Sequence, residues 1–203
     1  MKKASHTIIL LVILNIVLLI ILIYGRFFWI DSNEPESIKS DLNDMTMYNL
    51  QNKNYLWYQA TSDNTKLNKG LIVRNENGDT ISIKNLFSKP SLVLRYSELN
   101  CQSCVDIILK SLLSDTSFNE NNTLILGYYR EPDYLYQFKR INSVHMPIFN
   151  IWALELPPDT LNVPYIFLID NYRVAHNVFI PEQGDSIAIK NYLSFAAKKL
   201  KNM

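Results

Sequence analysis

A chain of 203 residues that is 48% hydrophobic and 19% charged can build one globular domain of ordinary size plus an added element at an end. That composition excludes a disordered or low-complexity protein. Its 20 basic and 19 acidic residues leave a net charge of +1 with no long block of like charge, which excludes a nucleic-acid footprint and nominates no partner through electrostatics.

The added element lies at the N-terminus. Lys2 and Lys3 precede an apolar run from Ile8 to Ile23 that only Asn15 interrupts, and Thr7, Tyr24, Phe27, Phe28 and Trp29 lengthen it. A helix over residues 7–30 is long enough to cross a hydrocarbon core of about 30 Å. A cleaved signal peptide would show a shorter core and a small-x-small site. This run instead ends in Tyr24-Gly25-Arg26-Phe27-Phe28, and no lipobox cysteine is present. The reading is a retained, single-pass anchor in the cell membrane. Lys2 and Lys3 predict a cytoplasmic N-terminus over 1–6, and the flank after the anchor carries Arg26 and then Asp31, Glu34 and Glu36. The rest of the chain is then extracytoplasmic, in the periplasm.

Residues 31–66 are polar and rich in Asn, Asp and Ser, with an aromatic cluster at Tyr55, Leu56, Trp57 and Tyr58. They read as a spacer with a short helix after Pro35, and the domain proper is predicted over 67–203. It opens with a hairpin in which Leu71–Val73 and Thr80–Ile83 flank "NENGD", where Asn77-Gly78 supplies positive φ. "SLVLRYSEL" predicts a buried strand. Cys101-Gln102-Ser103-Cys104 follows, and Val105, Ile107, Ile108, Leu109, Leu112 and Leu113 then fit a helix with one apolar face. "NTLILGYY" is a second buried strand, Pro132 and Asp133 start another helix, and "MPIFNI" is a short strand. "VPYIFLID" and "RVAHNVFI" are strands joined by a turn at Asp170-Asn171, and an amphipathic helix closes the chain from about Asp185 to Leu200. This order predicts an α/β fold with a central mixed β-sheet flanked by helices.

The chain has only two cysteines, Cys101 and Cys104, so no disulfide framework exists, and a bridge across two residues restrains the unfolded chain little. At a helix start, unpaired N–H groups and the positive end of the helix dipole favour thiolate over thiol. Cys104, about one turn along, is placed to attack a mixed disulfide formed at Cys101. By spacing alone the pair suits redox exchange or half of a zinc site. Zinc needs two further ligands, and outside the pair the chain offers only His6, His145 and His176, with His6 on the cytoplasmic side. The expectation therefore includes no metal and no cofactor.

Over residues 68 to 200 the arrangement resembles the thioredoxin-like superfamily, and within it the membrane-anchored, TlpA-like thiol-disulfide oxidoreductases. Those proteins carry a Gly-turn hairpin ahead of K-x-x-x-x-x-F-W-A-x-W-C-x-x-C and a later Pro-Thr/Tyr-x-x-x-x-Asp strand. This sequence has "NENGDTISIKNLFSKPSLVLRYSELNCQSC" and "NVPYIFLID" in the same order and spacing. The resemblance implies that Cys101 attacks and Cys104 resolves, that Pro164 is a cis-proline beside the pair, and that Val163 contacts substrate. Ser97, Glu98 and Asn100 stand where the family has Trp, Ala and Trp, and Ser103 replaces the proline of Cys-Gly-Pro-Cys. Arg95 and Glu98, large charged residues next to the cysteines, are either candidates to tune the thiolate or ordinary paired or solvent-facing groups. A peroxidase of the peroxiredoxin type would need proline and threonine or serine where this chain has Leu94 and Glu98. A copper chaperone on this fold would need Cys-x-x-x-Cys. The expected function is disulfide exchange with exported protein thiols and disulfides, reset by a membrane electron donor. The alternative is a non-catalytic binding, assembly or metal-handling protein on the same fold.

Overall fold

The structure, a computed structural model, describes residues 14–24 and 36–203. The N-terminal segment 1–6 lies outside these residues, as do both ends of the anchor predicted over 7–30. Residues 14–24 form helix α1, and no helix among the described residues is long and apolar enough to cross a membrane. The chain divides after Asn52 into two compact units. The first holds α1 and the beginning of helix α2 (Glu36–Ser62), and the second holds the end of α2 and everything after it.

Residues 31–66, read from sequence as a spacer, thus contain a helix of 27 residues. Its last turns belong to the second unit. Tyr55 and Tyr58, three apart and therefore on one helix face, pack against the core, while the Gln59 side chain accepts a hydrogen bond from the Ile180 N–H (2.9 Å). The Ser62 hydroxyl turns back to the Tyr58 carbonyl (2.6 Å) and is fully buried.

The second unit is built on a mixed sheet of eight strands, ordered β1-β8-β7-β4-β5-β6-β2-β3. The strands are β1 (Thr65–Lys66), β2 (Ile72–Arg74), β3 (Thr80–Ser82), β4 (Ser91–Ser97), β5 (Thr123–Tyr128), β6 (Ile148–Asn150), β7 (Tyr165–Ile169) and β8 (Val174–Phe179). Strand β4 runs parallel to β5, β5 runs parallel to β6, and β7 is antiparallel to both β4 and β8. The β2–β3 hairpin closes as its Asn-Gly signal predicts. Gly78 has φ +86°, and the Asn75 side chain accepts from the N–H groups of Asn77 and Asp79 at 3.0 and 2.8 Å.

Side-chain alternation along β4 divides the core in two. Leu92, Leu94 and Tyr96 join Val105, Ile108, Leu109 and Leu112 of helix α4 (Gln102–Ser114), together with residues of helix α5 (Pro132–Ile141) and helix α6 (Ser186–Leu200). Val93 faces the other way, with Phe87 beyond the short helix α3 (Ile83–Leu86) and with Leu154, Leu156 and Phe167. Each fully buried Leu or Ile contributes about 1.5–3 kcal/mol, so α4 is fixed to the sheet by its apolar face along its whole length. That fixes the helix start, which carries the cysteines, at the end of the central strand.

Candidate active site

The chain leaves β4 at Ser97 and enters α4 at Cys101 through a tight turn. The Ser97 N–H donates to the Asn100 side-chain oxygen (2.7 Å) and the Asn100 N–H donates to the Ser97 carbonyl (3.0 Å). Asn100 stands where the resembled family has tryptophan, and here its short polar side chain closes the turn itself.

Cys101 is the N-cap of α4, with φ −56° and ψ 117°, and it is exposed. Its carbonyl accepts from the N–H groups of Cys104 (3.0 Å) and Val105 (3.2 Å). Cys104 lies on the inward side of the first turn and is half-buried. Ser103 Oγ stands 3.0 Å from Cys101 Sγ, and the Gln183 Nε2 amide, from the loop between β8 and α6, points to the same sulfur at 4.0 Å.

These contacts drive the two thiols apart. A hydrogen bond from the Cys104 thiol, then one from the Ser103 hydroxyl, then the Cys104 backbone N–H lower the pKa of Cys101. Burial, donation to Cys101 and the charge of Cys101 push Cys104 up to about 11. The pair therefore sets an exposed thiol made more acidic against a half-buried thiol held protonated.

The other residues singled out in the sequence have distinct places. Glu98 is exposed in the turn before Cys101; after burial, its charge and that of Asp106 raise the pKa of Tyr129. The largest influences on Cys101 come from its own turn, from Cys104 and then Ser103. Arg95 is 4% exposed and forms an ion pair with Asp159 (3.2 Å). Val163 is half-buried and lines a cleft of about 120 Å³ with Leu99, Asn100, Tyr128 and Trp152, while Pro164 is buried behind it. No peptide bond among the described residues is cis, so the Val163–Pro164 bond is trans where the resemblance implied cis. Pro164 directly precedes β7, where a missing N–H costs no ladder bond and either isomer fits sterically.

Two candidates for metal binding also resolve. His176 sits within β8, 3.1 Å from the Asp170 carboxylate and 3.1 Å from the Asn64 side-chain oxygen, and His145 is exposed after α5. Among the described residues no three His, Cys, Asp or Glu side chains gather as a metal site. Gln183 and Asp159 went unmarked by sequence reasoning. Asp159 had one usable signal, its place after Pro157-Pro158 at the start of a short 3-10 turn (Pro157–Leu161); Gln183 had none.

The crystal structure of a candidate electron transfer protein from Aquifex aeolicus VF5 aligns with a TM-score of 0.50 at 13% identity, covering 66% of this chain and 94% of that one. The fold is thioredoxin-like. Two solution structures align more loosely with this thioredoxin-like domain. A thiol:disulfide interchange protein from Bacteroides sp. gives a TM-score of 0.46 at 12% identity, over 67% of this chain and 91% of that one. An uncharacterized thioredoxin-like protein from Porphyromonas gingivalis gives 0.48 at 13%, over 64% and 89%. No family model and no curated protein matches the sequence.

Proposed function

We propose that this chain is a membrane-tethered thiol-disulfide oxidoreductase that exchanges disulfides with exported proteins through Cys101 and Cys104. The observation that carries the redox reading is the opposite displacement of two neighbouring thiols, Cys101 lowered and exposed, Cys104 raised to about 11 and half-buried. The Cys101 thiolate attacks one sulfur of a substrate disulfide. That S–S bond breaks, its second sulfur leaves as a thiolate and takes a proton from water, and a mixed disulfide remains on Cys101. Cys104 then loses its proton and attacks Cys101 Sγ, releasing the second substrate thiol and leaving Cys101–Cys104 oxidised. Two electrons have passed to the substrate.

The order is built into the site. Two of the influences that hold Cys104 protonated are its hydrogen bond to Cys101 and the charge of Cys101. Both are lost once Cys101 is joined to the substrate sulfur in the mixed disulfide, so Cys104 ionises more readily when it is needed. A membrane-bound dithiol donor would reset the pair. The apolar run from Ile8 to Ile23, with Lys2 and Lys3 before it, supports the tether and an extracytoplasmic domain.

Replacing Cys104 with serine in the full-length chain, acid-quenching cells and running non-reducing gels tests the reading. Mixed disulfides through Cys101 to exported proteins are expected. If none is trapped, and the detergent-purified protein also fails to reduce insulin, the oxidoreductase reading is lost.

A further inference from the structure

We infer that Arg95 and Asp159 form a clamp that positions the substrate-facing wall beside Cys101, and that Arg95 acts there without tuning the thiolate. For its catalytic meaning the inference rests on the oxidoreductase reading above.

Arg95 lies in the middle of the sheet on β4, where its neighbours in the strand are apolar and buried. A guanidinium there is costly unless its donors are met. Nε donates to Asp159 Oδ1 (3.2 Å), Nη1 to the carbonyls of Tyr96 (2.6 Å) and Leu126 (3.2 Å), and Nη2 to the carbonyl of Trp152 (2.6 Å). The Asp159 carboxylate also accepts from the Leu154 N–H (2.6 Å) and the Tyr165 hydroxyl (2.8 Å). One planar fork and one carboxylate therefore tie strands β4, β5 and β7 to three points of the segment between β6 and β7. A lysine, with a single ammonium, cannot reproduce that fork.

The clamped segment, residues 151–164, has only the short 3-10 turn as regular structure, and Glu155 and Asn162 hold positive φ (63° and 51°). Connections of this kind are ordinarily the mobile parts of a domain. Yet Trp152 at one end, 73% exposed, and Val163 at the other line the cleft that Leu99 and Asn100 share. Those two residues lead directly into Cys101. The clamp thus sets where a polypeptide rests when its disulfide meets the thiolate. Alternation along β4 sends Arg95 to the sheet face opposite α4, away from the helix that carries the cysteines.

The test compares the reduced full-length protein with its Arg95→Lys and Asp159→Asn variants on two disulfides, insulin and the small hydroxyethyl disulfide. The expected result is a KM for insulin raised by about tenfold or more in each variant. Turnover of the small disulfide stays within about twofold, and the pH midpoint of Cys101 alkylation does not move, because neither property uses the wall. Amide exchange over residues 151–163 is expected to accelerate in Asp159→Asn while residues 102–114 keep their protection, a readout that needs no activity and serves if Arg95→Lys does not fold. A shifted alkylation midpoint with unchanged KM would establish tuning and overturn the clamp. Equal losses on both disulfides, or unchanged exchange over 151–163, would overturn it as well. If the unaltered protein reduces neither disulfide, the oxidoreductase reading fails and takes the substrate role of the clamp with it. That outcome is distinct from variants that simply match an active wild type.

Discussion

Cys104 stands one helical turn behind Cys101, near enough that each thiol shifts the ionisation of the other in the opposite direction. The separation has a direct chemical readout. In the reduced protein at neutral pH, iodoacetamide should modify Cys101 first and nearly alone, with Cys104 reacting only as pH approaches the region of 11. Mass spectrometry of the quenched protein counts the adducts. Equal labelling of both residues at neutral pH would remove the basis for assigning them different roles.

Ser103 offers a second handle on the same thiolate. Its hydroxyl, 3.0 Å from Cys101 Sγ, stabilises the anion, so its loss must disfavour the anion and raise the pKa of Cys101. Ser103→Ala should move the ultraviolet thiolate titration to higher pH and slow alkylation below that midpoint. An unmoved titration would show that the hydroxyl hydrogen-bonds elsewhere in solution.

Gly127 lies under α5 at a close approach of strand and helix. A Cβ added there would come 2.5 Å from Leu135 Cδ1, and Leu135 is fully buried. Gly127→Ala should therefore lower stability by about 1–3 kcal/mol, the usual cost of overpacking a filled core. Urea unfolding measures this, and a variant as stable as wild type would mean that Leu135 repacks freely.

The final helix depends on its first residue. Asp185 caps α6 by accepting from the Ala188 N–H at 2.8 Å. Asp185→Ala should cost about 1 kcal/mol. Since α6 packs in the same core cluster as α4, the loss should appear in global thermal unfolding rather than as local fraying.

The sequence made α4 and α6 legible because apolar spacing there follows the helical period, and β4 because its run from Leu92 to Leu94 suits a buried strand. The helix expected after Pro35 does begin at Glu36, but its length of 27 residues escaped because its residues are largely polar, and Tyr55 and Tyr58 near its end show where it meets the core. The placement of the cysteine pair was readable for the same reason as α4: Cys101 sits where a strand signal gives way to a helix signal. The surroundings of the pair were not. Arg95 pairs with a carboxylate 64 positions along, and Gln183 reaches Cys101 from 82 positions away. A charged residue inside an apolar strand announces that it has a partner, but not which one. The trans bond at Pro164 was equally beyond local reading, since a residue that opens a strand accepts either isomer.

The sheet ends on one side with the two residues of β1 and on the other with the three residues of β3. Rows this short offer an unfolded chain too few free backbone groups to add itself as another strand. Under the oxidoreductase function proposed above, a protein that meets incompletely folded clients would otherwise risk being joined by them into an aggregate. With the flanks so blunted, the cysteine end would be the place to hold a client, through a covalent bond that the protein itself could break.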